Sequence, residues 1–343
     1  MPILSNLLLK IRNNILFIIS NDTEIEIISK IELILNIDKS NESITVSGKK
    51  FFDIFKMLPE DSEIEIAIKN EQMFIRTPNI CFTLSTISSI NFPCFEKQEI
   101  QLEIEIYQKT LKKLIEYTYF SMASQDIRHY LNGMLFVVES KKIYTVATDG
   151  HRLAVCSFPL LNEKNSKCTI IIPRKSVIEL MKLINENKEL IKLKISNQYI
   201  CIHTNDFIFT SKLIDVSFPN YKNVLLTKLD KEAIIDLNKI KNSCLRSSIL
   251  LDTKFKCVSL EFYKNTLEIR TKNFKNEQYI EKIIILYKQE NITINVNPDY
   301  ILDILNALKI NQVHLFLKDS NSCIKIKHKN EYQITYVIMP MIL

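Results

Sequence analysis

The segment YTVATDGHRLAV, residues 144–155, holds the side chains whose types and spacing best suit chemistry. Asp149 and His151 lie two positions apart at the end of an alternating strand, so they can share one face. Hydrolysis would also need a nucleophile and donors for an oxyanion. No GxSxG, Walker, HExxH or paired acidic motif occurs in the 343 residues. The pattern therefore favours a binding site without catalytic residues.

The histidines and cysteines predict neither a metal centre nor a disulfide framework. The five histidines share no ligand spacing, and no two of the eight cysteines lie within ten residues of each other. There is no leader-like start and no apolar run of about eighteen residues. We expect reduced thiols, no cofactor, no metal and a cytoplasmic location. The net charge of +6 permits a nucleic-acid partner without requiring one.

The chain repeats itself three times. The segments VSGKKFFDIFKML, IPRKSVIELMKLI and VNPDYILDILNAL begin at Val46, Ile172 and Val296, and their apolar residues have helical spacing. Short alternating strands follow each helix, and a strand pair precedes it. Such long repeats indicate three similar domains with helices on one face of antiparallel sheets, an α+β fold. We place the domains at residues 1–99, 100–228 and 229–343.

The second and third repeats carry one more predicted helix, over residues 107–124 and 230–248, before their strand pairs. The first repeat lacks a counterpart, so its domain is expected to be without an N-terminal strand and helix. Our expectation is a start codon assigned too far downstream. A true deletion of this helix would leave one face of that domain's sheet uncovered and expose apolar surface.

ATDGHRLAVCS, PRKSVIELM, DFIFTSKL, FPNY and YVIMPM resemble, in order along the whole chain, the bacterial DNA polymerase III beta subunit, or sliding clamp. The resemblance implies a DNA replication factor that confers processivity and has no enzymatic activity. It implies helices on the inner face, sheets on the outer face, and a head-to-tail homodimeric ring around double-stranded DNA.

The resemblance also implies a hydrophobic cleft for QLxLF-type peptides of the polymerase alpha subunit, the clamp-loader delta subunit and other proteins. No membrane partner is expected. The residues carried over to the cleft are Leu131, Thr148, Gly150, His151, Arg152, Leu153, Pro219, Val224, Tyr300, Cys323, Val337, Met339, Pro340 and Met341.

Two further sets of residues follow from the resemblance. The expected DNA contacts, which carry no sequence information, are Gln125, Arg128, His129, Tyr130, Arg174 and Lys175. The expected dimer contacts are Phe82, Lys49 and Lys50 on the first domain, and Ile249 and Leu250 on the third. The third-domain stretch NFKNEQYIEK has few acids, so electrostatic support for the dimer should be weak.

Two alternatives stay open on the sequence. One is an adaptor that binds peptides through the cleft without closing or loading as a ring on DNA. The other is a metal-free hydrolase around Asp149 and His151.

Overall fold

The computed structural model describes residues 2–34, 43–96, 98–160, 167–251, 256–329 and 332–342, which contain 23 β-strands and six α-helices. The first repeat comprises β1 (Asn6–Arg12), β2 (Ile15–Asn21), β3 (Ile25–Glu32), β4 (Ser43–Ser47), α1 (Gly48–Met57), β5 (Glu65–Lys69), β6 (Gln72–Arg76) and β7 (Cys81–Ser88). The second comprises β8 (Leu102–Tyr107), α2 (Gln108–Glu116), β9 (Gly133–Glu139), β10 (Lys142–Thr148), β11 (Arg152–Pro159), β12 (Cys168–Pro173), α3 (Arg174–Leu183), β13 (Leu190–Ile195), β14 (Tyr199–His203), β15 (Phe207–Lys212) and α4 (Lys222–Leu226). The third comprises β16 (Lys231–Asp236), α5 (Leu237–Ser247), β17 (Val258–Tyr263), β18 (Thr266–Lys272), β19 (Gln278–Ile284), β20 (Ile292–Val296), α6 (Pro298–Ala307), β21 (Gln312–Leu317), β22 (Ile324–Lys329) and β23 (Gln333–Ile338).

The three segments that revealed the repeat each form a helix, as predicted. α1, α3 and α6 begin at equivalent positions and bury the same two apolar positions, three residues apart. These pairs are Phe51 and Ile54, Val177 and Leu180, and Ile301 and Ile304. This spacing puts both side chains on the face toward the sheet, while charged residues such as Lys56 and Lys182 stay exposed.

The predicted helix over residues 230–248 is wrong in its first part. Residues 231–236 form β16, which pairs with β21, and α5 begins only at Leu237. Ala233 and Ile235 are buried with half-exposed residues between them, the period of two that a strand requires. The predicted helix over 107–124 likewise shortens to α2, because β8 precedes it and a 3-10 turn at Tyr119–Ser121 follows.

Each repeat also contains a strand that the sequence reading did not separate. β3, β11 and β19 follow the predicted strand pairs and extend them to three antiparallel strands. β11 is the continuation of the TDGHR loop. Its residues Leu153–Ser157 are buried on both faces, so they lack the alternation by which a half-exposed strand is recognised.

The strands form three antiparallel sheets. The order in the largest is β5-β6-β7-β4-β1-β2-β3-β15-β14-β13-β8, and in the second β12-β9-β10-β11-β23-β22-β21-β16. The third sheet has the order β19-β18-β17-β20. Two pairings join successive repeats, β3 with β15 and β11 with β23. In both cases the strand that completes the three-stranded set of one repeat pairs with the last strand of the next repeat.

Two compact units emerge from the residue contacts. One consists of residues 1–105 and 189–212, and the other of residues 106–188 and 213–343. Segments of the second predicted domain, 100–228, belong to both, because β13–β15 lie in the first sheet and β9–β12 in the second. The predicted domain boundaries stay a prediction.

The first repeat shows an open face where the other two are covered. α3 contacts α2 and α6 contacts α5, whereas α1 is the only α-helix in the described residues of its repeat. β5 is an edge strand, whereas its counterparts β13 and β21 pair with β8 and β16. Phe52 on α1 is accordingly 63% exposed, and the equivalent Leu302 on α6 only 9%. Among the described residues, the first repeat therefore has no counterpart of β8 and α2.

No helix in the described part of the chain is both long and apolar enough to cross a membrane.

Candidate functional site

Asp149 folds the TDGHR loop into a tight turn. Its Oδ1 accepts hydrogen bonds from the backbone N–H groups of His151 at 2.9 Å and Arg152 at 3.0 Å. Gly150 has a φ of +91°, a conformation that favours glycine. A Cβ atom there would also lie 3.1 Å from the Arg128 guanidinium. The loop is thus held in one shape by a carboxylate and a glycine.

Arg152 ties this loop to two other elements. Its Nε donates to Asp149 Oδ2 at 3.0 Å, its Nη1 to Asp303 Oδ2 at 2.5 Å, and its Nη2 to the Phe120 carbonyl at 2.7 Å. The guanidinium also lies 4.6 Å from the centre of the Tyr300 ring. Its side chain is only 11% exposed. A nearly buried guanidinium with this many partners positions the loop against α6.

This geometry commits Asp149 to structure rather than to acid–base chemistry. Both of its oxygens accept from the backbone or from Arg152, while the exposed His151 ring stacks on Tyr300 with centroids 6.3 Å apart. A general base would need to lie within hydrogen-bond reach of its partner. In the described ranges, no three His, Cys, Asp or Glu residues are grouped so that they could hold a metal ion.

A cavity of about 250 Å³ opens beside the loop. Strand β11, strand β23 and the segment before α4 form its walls. Nine residues predicted for the cleft line it: Leu131, Thr148, Gly150, Arg152, Leu153, Pro219, Val224, Val337 and Met339. Arg128 and Tyr130, which the resemblance assigns both to DNA contact and to the shallower part of the cleft, line it too. The lining is largely apolar with two guanidinium groups, the combination expected of a ligand site.

The remaining predicted cleft residues lie around this cavity and not in its lining. His151 and Tyr300 stack on each other, and the His151 carbonyl accepts from the Met339 backbone N–H at 2.9 Å. Cys323 is buried in the apolar cluster that contains Leu153 and Val337. Pro340 and Met341 are half-buried in the C-terminal tail, where the Met341 N–H donates to the Asn295 carbonyl at 2.7 Å.

Two lining residues were missed by the sequence reasoning, Asn220 and Tyr221. Both belong to the FPNY segment, of which only Pro219 was carried over. Tyr221 packs against Phe218 in an edge-to-face contact with ring centroids 6.2 Å apart. The aromatic residues of FPNY could have indicated that the whole segment, and not Pro219 alone, lines the cavity.

The loop before Tyr130 holds most of the residues predicted to contact DNA. Gln125, Arg128 and His129 are exposed, and Tyr130 is half-buried. Arg128 donates to Asp126 through its backbone N–H at 2.8 Å and its Nη2 at 2.9 Å. These bonds lower the pKa of Asp126 to about 2. The carboxylate therefore offsets part of the positive charge that Arg128 would present to a phosphate.

The other predicted DNA residues and cations sit on the helices. Arg174 begins α3 and donates from Nη1 to the Met122 carbonyl at 2.8 Å, and Lys175 is exposed beside it. Several neighbouring cations are neutralised locally, since Lys113 pairs with Glu116 and Arg246 with Glu281. The positive charge available to a polyanion is smaller than the sequence indicates.

The predicted dimer residues occupy surfaces of their own units. Phe82 in β7 is half-buried, Ile249 is 78% exposed and Leu250 half-buried in a 3-10 turn, and Lys49 and Lys50 are exposed on α1. β7 has a neighbour on each side, but each covers only part of it. It pairs with β6 through Cys81–Ser85 and with β4 through Thr86–Ser88, so its first half has no ladder partner on the side where β4 pairs with its second half.

Comparison with known proteins identifies the family to which this chain is similar. Family models of the DNA polymerase III beta subunit match the N-terminal domain at residues 1–96, the central domain at 105–220 and the C-terminal domain at 222–342. The beta sliding clamp of Escherichia coli (strain K12) is 40% identical over 341 residues, covering 99% of this chain and 92% of that protein. The beta sliding clamp of Haemophilus influenzae is 38% identical over 340 residues, with the same coverage.

Solved structures agree. The DNA polymerase sliding clamp from Pseudomonas aeruginosa with ligand superposes with a TM-score of 0.95 at 34% identity, covering 100% of this chain and 93% of that one. A sliding clamp from the same species bound to griselimycin gives a TM-score of 0.94 at 34% identity, covering 100% and 92%.

Three α+β repeats joined by shared sheets therefore define a protein of the DNA-clamp class, as the sequence predicted. The chain belongs to the DNA polymerase III beta subunit family, and its function is that of a sliding clamp in DNA replication.

Proposed function

We propose that two copies of this chain close head to tail into a ring around duplex DNA. The observation that carries the proposal is the pairing between repeats: β3 pairs with β15, and β11 with β23. By the same rule, β19 should pair with the last strand of a following repeat, yet it is an edge strand. The strand left over is β7, with its open first half. Pairing β19 of one copy with β7 of the other completes the rule and closes the ring.

The residues near both strands support this interface. Ile280 and Ile284 on β19 are exposed, as is Ile249 in the nearby turn, and exposed apolar residues on an edge strand favour association. Phe82 lies in the half of β7 that pairs with β6 and not with β4. Of the two acids in the stretch NFKNEQYIEK, Glu281 is already bound to Arg246 within the subunit. The dimer should therefore depend on apolar contact and strand pairing more than on charge.

In this ring the helices line the hole and hold DNA by charge alone. Exposed lysines such as Lys49, Lys50 and Lys239 attract phosphates through a screened field that is the same for every sequence. Gln125, Arg128, His129, Tyr130, Arg174 and Lys175 would make the nearer contacts. A contact that reads no base edge allows the ring to slide. The clamp has no catalytic role and works in the cytoplasm.

The cavity between β11, β23 and the FPNY segment is the proposed tether for partners. Its apolar walls suit the leucine and phenylalanine side chains of a QLxLF-type peptide, and Arg128 and Arg152 can bind peptide carbonyls. The partners would be the polymerase alpha subunit, the clamp-loader delta subunit and other proteins with such motifs. The Pseudomonas aeruginosa clamp bound to griselimycin supports a ligand site in this chain.

Retention on circular DNA tests the ring. We expect clamp loader and ATP to place the protein on nicked circular DNA so that it stays bound in high salt, because escape requires opening the ring. Cutting the circle at one site should release the protein before the gel-filtration run is complete. A ring held only by encircling the DNA can slide off a free DNA end. Retention that survives linearisation would contradict the ring.

The alternative is an adaptor that binds peptides without loading onto DNA. The open face of the first repeat favours it, because α1 lacks the helix neighbour that α3 and α6 have. An adaptor would bind the QLxLF-type peptide and yet never co-elute with nicked circles in the same assay.

A further inference from the structure

Strand β22 buries a lysine beside the wall of the cleft. Lys325 is only 2% exposed, an unusual position for an ammonium group, whose burial is costly unless it is well paired. Its Nζ donates to the carbonyl of Leu225 at 2.9 Å and to the carbonyl of Thr227 at 2.7 Å. These partners lie about one hundred residues earlier in the chain.

Leu225 lies in the last turn of α4, and Thr227 is the residue that caps its C-terminal end. The last carbonyls of a helix lack partners within the helix and carry partial negative charge, so a cation there satisfies them. α4 has only five residues, too few to be stable as an isolated helix. Its position must therefore be fixed by tertiary contacts, and the Lys325 hydrogen bonds are two of them.

The position of α4 decides the shape of the cavity. Val224 on α4 and Tyr221 immediately before it line the cavity. Val224 and Leu225 also pack against the apolar cluster that contains Cys323, two residues before Lys325 on the same strand. The ammonium group thus connects strand β22 to the α4 side of the cavity.

We propose that Lys325 is a positioning residue of the cleft, which holds the α4 wall in its ligand-ready place by bonding the Leu225 and Thr227 carbonyls. The proposal rests on the proposed peptide-binding function of the cavity. Lys325 itself does not line the cavity, so its effect on a ligand is indirect. Because α4 is already ordered, peptide binding does not have to include the entropic cost of ordering it.

Lys325→Met tests the proposal, because methionine keeps much of the apolar stem and removes the charge and the donors. Lys327→Met is the matched control: the same strand, the same change of charge, but an exposed ammonium that lies over the Phe316 ring. We expect Lys325→Met to weaken binding of a fluorescent QLxLF-type peptide about tenfold, the loss that follows from removing hydrogen bonds to a charged group. Lys327→Met should bind like the parent.

Amide hydrogen exchange of residues 222–227 in the unliganded protein provides the direct readout of the wall. These amides should be protected in the parent and in Lys327→Met, and exchange at least tenfold faster in Lys325→Met, while strands β9–β11 stay protected. Lys325→Gln, which keeps an amide donor, is the second variant should Lys325→Met not fold. Unprotected 222–227 amides in the parent would overturn the proposal without any variant.

The outcomes separate the two hypotheses. If the parent binds no peptide, the proposed cleft function fails, and the exchange data alone decide whether Lys325 holds α4. If the parent binds and Lys325→Met binds equally well with unchanged exchange, the cleft stands and the role of Lys325 is refuted.

Discussion

At the scale of single residues, charged side chains hold the loop at the site in its shape. Asp149 and Arg152 shape the loop that a sequence reader would first suspect of catalysis. Arg152 is nearly buried and has three hydrogen-bonding partners, whereas Arg128, on the same cavity, is half exposed and bonded to Asp126 alone. Of the two arginines at this cavity, Arg152 stabilises the loop, whereas the Arg128 guanidinium is more exposed to solvent.

Replacing each arginine by methionine separates these duties. We expect Arg152→Met to lower the free energy of unfolding by about 2 kcal/mol, because the Phe120 carbonyl and the Asp149 carboxylate lose a charged donor in a nearly buried place. Arg128→Met should unfold at the same denaturant concentration as the parent, because its guanidinium is solvated. Chemical denaturation followed by circular dichroism measures both. Equal midpoints for the two variants would show that the Arg152 network contributes nothing to the fold.

At the scale of elements, the repeats provide internal controls for one another. α1, α3 and α6 share a sequence pattern and start positions, but within the described residues only α3 and α6 have a helix beside them. The amphipathic pattern specifies a helix and its buried face. The burial of the flanking positions depends on the neighbour, which is why Phe52 and Leu302 differ.

An alanine at each of these two equivalent positions tests the open face. We expect Phe52→Ala to change the free energy of unfolding by less than about 0.5 kcal/mol, since an exposed side chain has little to lose. Leu302→Ala should cost about 2 to 4 kcal/mol through lost burial and a cavity. If Phe52→Ala proves as costly as Leu302→Ala, something covers the face in solution, either a second subunit or further chain.

At the scale of the whole molecule, the unpaired strands decide the assembly. The pairing rule between repeats is satisfied twice within the chain, and in the proposed ring a second copy provides its third instance. An edge strand with exposed isoleucines is an aggregation hazard unless a partner occupies it. The proposed ring would remove that hazard by pairing β19 of one copy with β7 of the other.

Two aspartates at equally exposed sites test this closure. We expect Ile249→Asp to sediment as a monomer at micromolar concentration, because the interface would bury an unpaired charge. Leu226→Asp is the control, because Leu226 is 77% exposed and Ile249 78%. It should sediment as a dimer like the parent. A parent that is monomeric, or an Ile249→Asp variant that stays dimeric, would refute the interface proposed here.

The sequence by itself determined the local structure and the kind of protein. Helical and alternating periods depend on neighbours within a few residues, so the three repeated helices, most strands and the threefold repeat could be read directly, and the motifs identified the family. The cleft could also be predicted for most of its lining, because TDGHRL, FPNY and VIMPM each keep their own signature. β11 was not predicted as a strand, because it is buried on both faces and its residues do not alternate between apolar and polar. β16 was predicted as helix, because it runs directly into α5.

Only the tertiary structure decided which distant groups meet. The Arg152–Asp303 bond joins residues 151 positions apart, and Lys325 reaches carbonyls 98 and 100 positions away. Nothing in the local pattern of IKIKHK distinguishes the buried Lys325 from the exposed Lys327. Strand pairing likewise specifies a partner through register and the shape of the core, which are properties of the assembled sheets. For that reason the two unfilled strand edges, on which the proposed ring depends, became visible only in the folded chain.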